Sequence, residues 1–293
     1  MKIYGYFSAI AVSALMCCCG CSVNKGDNQT GSEQDSVSAT EGKTITHEVF
    51  VPVEGINPEC YVDKLSYAIC IDCDVLDQFR TMSIYGPEKK QDEKMPVVVF
   101  VEGEVKDMPS FEWARIFTEL GYKVAIPKCS NIKADRNNDK TIKTLRTSLN
   151  DLHDAIHTMN TKADKYGIDT TRIFLAGNAS GAHLVTSFAY TYVPGAEINV
   201  ADGVKGVISI STSSPLNFNE FEKNFSNNIP CLIFHGTSDQ QSSEIINSKQ
   251  LYSQLGDMSD LILVEGAREF PTSDYTKVVK DSCRTFLKEL TTF

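Results

Sequence analysis

The sequence predicts an α/β domain with a mostly parallel central sheet, helices on both faces and antiparallel strands at the N-terminal edge. Three observations carry that prediction. From Pro96 onward, apolar runs of strand length alternate with stretches of helical periodicity. Val97-Val98-Val99-Phe100-Val101 is a continuous, largely β-branched run, the mark of a strand buried on both faces. Residues 45 to 85 hold strand-like runs with no helix between them, so they should pair antiparallel at one edge.

The elements follow in order. Residues 66 to 75 read as an edge strand. After the strand at residues 97 to 101, apolar residues at 111, 114, 117 and 120 mark a helix that Gly121 ends. Residues 123 to 126 are the next strand, stopped by Pro127. Leu145, Leu149, Leu152, Ile156 and Met159 form the stripe of a long helix expected to close at Gly167. Strands at residues 172 to 176, 204 to 211, 230 to 235 and 261 to 264 alternate with helices at 180 to 190, through Ile245 and Leu251, and at 275 to 290. Helices between successive strands imply right-handed crossovers and a parallel sheet.

The chain has 293 residues and a formal net charge of −10. An acidic chain lacks the basic stripe of a nucleic-acid binder, so nucleic acid is not an expected partner. Lys2, the apolar run from Ile3 to Met16 and the segment Cys17-Cys18-Cys19-Gly20-Cys21 have the layout of an export signal. The run is shorter than the roughly 20 apolar residues a spanning helix needs. It resembles a bacterial lipoprotein signal, which implies cleavage after Gly20 and acylation of Cys21. An ordinary secretory signal is the rival reading, and Cys17 to Cys19 are rival acceptors. Residues 21–43 are polar and read as a flexible tether. Residues 44–293 are then a single domain, exported and held at the bacterial envelope, in the periplasm or on the cell surface.

Ten cysteines shrink to six once the signal is set aside: Cys60, Cys70, Cys73, Cys129, Cys231 and Cys283. Cys70-Ile-Asp-Cys73 has redox-motif spacing, but in a strand its thiols would point to opposite faces. Buried free thiols are the simpler reading, and an oxidising compartment would allow a Cys60–Cys70 disulfide. His153 and His157 are four apart on one predicted helix, the spacing of a metal pair. Flanking Asp151 and Asp154 suit a solvated face equally well, so no metal and no cofactor are expected.

The chemistry should gather at Arg172-Ile-Phe-Leu-Ala-Gly177-Asn-Ala-Ser-Gly181-Ala-His-Leu184, a strand, a small-residue turn and a helix. This is the setting of the G-x-S-x-G nucleophile elbow, where flanking glycines leave room for a strained turn that lifts one side chain above the sheet. Together with Lys165-Tyr-Gly-Ile-Asp169 before it and Pro230-Cys-Leu-Ile-Phe-His-Gly-Thr-Ser-Asp239 after it, the segment resembles the esterase branch of the α/β-hydrolases. That branch includes bifunctional feruloyl and acetyl-xylan esterase-like proteins. The resemblance runs from about Tyr67 to the C-terminus and implies the α/β-hydrolase fold, with Asp239 as the acid of a catalytic triad.

The catalytic residues depart from that pattern at three places. The nucleophile position holds Ala179, and a methyl group cannot attack a carbonyl. Ser180, the next residue, should open the helix about 100° away. The chain's histidines are 47, 153, 157, 183 and 235, so none follows Asp239. The resemblance puts Arg268 or Glu269 in the histidine's place, and arginine stays protonated. His183 and His235 match structural histidines of the family. The oxyanion loop, glycine-rich in the family, reads Glu102-Gly103-Glu104, where carboxylates would repel developing negative charge. Lys128-Cys129 replaces a tyrosine–arginine pair.

Three functional readings follow. In the first, the chain is an inactive relative that binds a small ester or carbohydrate-like ligand, or a partner, at a cleft lined by Ala179, Ser180, Glu102, Glu104, Asp239 and Arg268. Asp239, without an imidazole, should then pair with Arg268 or with backbone N–H groups. In the second, it is an active carboxylic-ester hydrolase of acylated or acetylated carbohydrates with Ser180 as substitute nucleophile and Glu269 or Asp239 as base. In the third, it is a structural module of a surface complex.

Overall fold

The computed structural model describes residues 60–69, 79–87, 94–103, 110–129, 139–192, 203–213, 216, 222–223, 225, 228–238, 243–267 and 273–291. The chain divides into two units, Met1–Glu41 and Gly42–Phe293, and all of these residues lie in the second. Cys21, the signal and the tether fall outside the described residues, as do Cys70 and Cys73 and with them the Cys60–Cys70 pairing.

An antiparallel pair, β1 (Cys60–Ile69) and β2 (Phe79–Pro87), forms one edge of the sheet. This is the expected edge, although β1 begins six residues before the strand expected at 66 to 75. β2 lies antiparallel to β4 (Lys123–Pro127), which lies parallel to β3 (Met95–Val101). Parallel pairing then continues through β5 (Ile168–Asn178), β7 (Val204–Ile210), β9 (Cys231–Gly236) and β10 (Ser259–Val264). The resulting order is β1-β2-β4-β3-β5-β7-β9-β10. Two short strands, β6 (Thr191–Tyr192) and β8 (Glu222–Lys223), form a separate antiparallel pair that the sequence pattern does not announce.

The sheet separates two core layers. Val97, Val99 and Val101 of β3 face the stripe of α2 (Asp139–Thr161), with Leu149, Leu152 and Ile156, and the apolar residues of α4 (Ser180–Tyr190) and α5 (Ser243–Leu255). Val98 and Phe100 face the other way, toward Trp113 and Phe117 of α1 (Ser110–Glu119) and Val279 and Leu287 of α6 (Ser273–Thr291). Alternate residues of one strand thus feed two layers, as a strand covered on both faces requires. Trp113 stacks on Phe100 at 5.1 Å between ring centres.

Two further boundaries differ from expectation for reasons visible in the structure. The long helix stops at Thr161 rather than Gly167. Lys162 leaves helical geometry (φ −106°, ψ 9°) with its N–H shared between the carbonyls of Thr158 and Met159. The new direction lets α3 (Ala163–Tyr166) turn Ala163 and Tyr166 inward before Gly167 closes it at φ +63°. β5 also starts earlier than residue 172. Its pairing with β3 is irregular between Met95 and Val97, and Asp169 organises that stretch. Its carboxylate accepts from the Thr171 N–H (2.9 Å), the Thr171 hydroxyl (2.6 Å) and Arg172 Nε (2.6 Å). Burial pushes the Asp169 carboxyl up, but these donors outweigh it and hold it below its ordinary value.

Candidate active site

β5 delivers the chain to a sharp corner at Ala179, and α4 begins at the next residue. Ala179 has φ +47° and ψ −118°. This backbone region is unfavourable for a residue with a Cβ, and such strain persists only where the surroundings impose it. Ala179 N–H donates to the Ile210 carbonyl at the end of β7 (3.0 Å). Its own carbonyl accepts from Ser213 N–H and from His183 N–H, both at 3.2 Å. The corner is therefore anchored to the neighbouring strand as well as to its own helix.

The flanking glycines are required by contact. A Cβ on Gly177 would lie 2.5 Å from the carbonyl carbon of Gly181, and one on Gly181 would lie 2.0 Å from the carbonyl oxygen of Val101. Strand, turn and helix come this close only without side chains. Gly103, on the loop after β3, packs onto the same corner. A Cβ there would fall 2.3 Å from the Asn178 carbonyl and 2.9 Å from the Ala179 methyl carbon. Gly103 of the expected oxyanion loop thus lies against the elbow, and the loop from Glu104 to Pro109 lies outside the described residues.

One residue of this corner escaped the sequence reading. The side chain of Asn178 is fully buried, and its Oδ1 accepts the Gly103 N–H at 2.7 Å. The Gly103 N–H is thereby engaged inside the protein. The available signal was an amide at the end of an otherwise apolar strand, Ile-Phe-Leu-Ala-Gly-Asn. Glu102, beside Gly103, is exposed. It still acts on Tyr85 of β2: burial pushes the phenol up, the Ser83 hydroxyl pulls it back, and the Glu102 carboxylate pushes it up again.

Ser180 is half-buried at the first position of α4, as expected, and its hydroxyl makes no hydrogen bond among the described residues. Gly181 through Tyr190 are all buried, His183 among them. His235 is fully buried in β9, where Nδ1 contacts the Ser248 hydroxyl of α5 at 2.9 Å. Both histidines serve the interior. Beyond β9 and β10 the backbone is cross-linked: Thr237 N–H donates to Val264 (3.0 Å), Ser238 N–H to Ala267 (2.8 Å) and Gly266 N–H to the Thr237 hydroxyl (3.0 Å). Glu104, Asp239, Arg268 and Glu269 themselves lie outside the described residues, and so does the expected Asp239–Arg268 pairing.

An elbow after the fifth strand of this eight-strand order, under a glycine that follows the third, is the architecture of one fold. Residues 82–201 match the BD-FAE family model. The chain has the α/β-hydrolase fold. Among solved structures, this chain is similar to esterase Est22, with a TM-score of 0.56 and 15% identity over 80% of this chain and 81% of that one. It is also similar to Thermogutta terrifontis esterase 2 in its tabun-phosphoramylated form, with a TM-score of 0.56 and 19% identity over 80% and 96% of the two chains. A third structure, from a study of two Rhizomucor miehei esterases, gives a TM-score of 0.55 and 15% identity over 78% and 84%. At these identities the structures establish the fold. No curated protein matches the chain. The family match contains the elbow and ends before Asp239 and Arg268.

Among the described residues no group of three or more histidine, cysteine or acidic side chains converges as a metal site. One expectation about the histidine pair is corrected. Asp151 is not on a solvated face: it is buried, and its Oδ2 lies 3.1 Å from Arg80 Nε of β2. The helical period puts residue 151 on the inward side of α2, and only the neighbouring strand could show what it meets there.

Proposed function

We propose that this chain is a catalytically inactive esterase-like α/β-hydrolase. In this reading it is exported, lipid-anchored through Cys21, and uses the elbow region to bind a small ester or carbohydrate-like ligand. One observation carries the proposal: the apex of the strained elbow, where a nucleophile would be lifted above the sheet, bears the methyl group of Ala179. Two further observations support it. The segment after the last strand, Val264-Glu-Gly-Ala-Arg-Glu-Phe270, where the resemblance puts the general base, holds no histidine. The Gly103 N–H beside the elbow is already bonded to Asn178. Removing one triad member alone can cost several orders of magnitude in rate, and here two are absent. The ligand class rests on the family resemblance, and the anchor on the N-terminal sequence.

The test is fluorophosphonate labelling of the full-length protein with mass-spectrometric mapping of adducts. Thermogutta terrifontis esterase 2, whose structure is recorded with organophosphate adducts, is the positive control. We expect no adduct on this chain and no turnover of aryl acetates. An adduct on Ser180, with turnover lost in Ser180→Ala, would overturn the proposal in favour of an active esterase.

A further inference from the structure

We propose that His153 and His157 form a two-ligand surface site on α2 for a divalent cation of borderline softness, such as Zn2+. The proposal is independent of the reading of the elbow. Side chains four residues apart on a helix are neighbours, about 5–6 Å between Cβ atoms. In the folded chain the two imidazoles are almost parallel, 8° apart in plane, with ring centres 6.4 Å apart. Zinc–nitrogen bonds of about 2.0–2.1 Å in a tetrahedral arrangement place two ligating rings roughly 5 Å apart. Binding then requires the rings to approach by about 1.4 Å and to turn out of their parallel stack so that one nitrogen of each faces the ion, a change of side-chain torsions alone. Both residues have the freedom to do so: the His153 side chain is 41% exposed and His157 is exposed.

A second observation concerns the direction in which His153 presents its lone pair. Its Nδ1 lies 3.3 Å from Asp154 Oδ1. When Nδ1 carries the proton and donates it to that carboxylate, Nε2 is left as the ligating nitrogen. A carboxylate behind a histidine is the usual device that orients and strengthens a metal-bound imidazole. Asp151 does not compete as part of an acidic solvated stripe, because it is turned inward onto Arg80. The chain's net charge of −10 adds long-range attraction for a cation. With two protein ligands, water completes the coordination shell, and a hard cation such as Mg2+ has no reason to choose imidazole nitrogen.

The test uses full-length protein with 15N-labelled histidine, titrated with Zn2+ while all five ring systems are followed by NMR. Site-resolved signals separate this site from zinc taken up by cysteines. We expect the His153 and His157 ring nitrogens to shift together and saturably, with no response to Mg2+. His157→Asn should abolish the shift at His153. Asp154→Asn should weaken binding by about tenfold or more. Absence of a shift at either ring, or a His153 shift that survives His157→Asn, would overturn the proposal.

Discussion

Ala179 holds a conformation at which a Cβ is a burden, and its methyl group has no nucleophilic atom. The strain remains because hydrogen bonds from Ser213 and His183 and to Ile210 hold the corner in place. Ala179→Gly removes the Cβ and should stabilise the fold despite the greater freedom of glycine in the unfolded chain. Conformational strain of about 1–3 kcal/mol competes here with about 0.5–1 kcal/mol of entropy. A net gain near 1 kcal/mol would raise Tm by roughly 2–4 °C in differential scanning calorimetry. An unchanged or lower Tm would show that the corner is not strained as the dihedrals imply. Asn178→Ala tests the other half of the corner. It leaves the Gly103 N–H without its acceptor, which costs about 1–3 kcal/mol for a buried group and should appear as a lower urea midpoint with an unchanged m-value.

Between elements, the Arg80–Asp151 pair joins the antiparallel edge of the sheet to α2. The side chains are 4% and 11% exposed, so neither charge has bulk water as an alternative partner. Breaking such a pair costs more than forming it yields, because one charge is left buried. Asp151→Ala should therefore destabilise by about 3 kcal/mol. The expected fall in Tm is roughly 6–12 °C, and Arg80→Met in the same chain should recover part of it. A loss within experimental error would mean that the edge is held by its apolar contacts alone. The helix boundaries belong to this scale too. The apolar stripe of α2 was legible because its period is local. Its end at Thr161 was not, since Gly167 is a strong stop signal and nothing local marks Lys162. The turn there is favoured because it brings Ala163 and Tyr166 into the core.

At the largest scale, the described residues pack into two core layers, and their buried thiols give stability a pH dependence. Burial pushes the Cys231 thiol from 9.0 up to about 12, partly offset by Tyr190, and burial pushes Cys283 up as well. A raised folded pKa means that the neutral thiol is favoured in the native state. The stability this represents is fully present below pH 9, where unfolded thiols are also neutral. It is lost as pH rises from there, because only the unfolded chain releases the proton. Unfolding free energy measured in urea should fall between pH 8 and pH 10, by at most about 1.4 kcal/mol per pH unit for each thiol. Under native conditions Cys129, which is half-buried, should alkylate faster than Cys231 or Cys283. Comparable rates at all three would contradict the burial.

By itself, the sequence determined the order of the main-sheet strands and their long helices from Pro96 onward, the antiparallel edge before it, and the position of the elbow at Ala179, but not α3 or the short pair β6 and β8. Each is a local matter: hydrophobic period, glycines at a tight turn, and a chemical group present or absent. That residues 264–270 hold no histidine is likewise a matter of sequence alone. Tertiary structure decided what the buried polar groups do. Asn178 looked like a filler between two marked positions until β3 brought Gly103 within 2.7 Å of it. Asp151 looked like part of a solvated face until β2 brought Arg80 to it. The physical reason is the same in both cases. A buried polar group must find its partner, and here the partners lie about 70 residues or more away in the chain, where no local pattern can point to them.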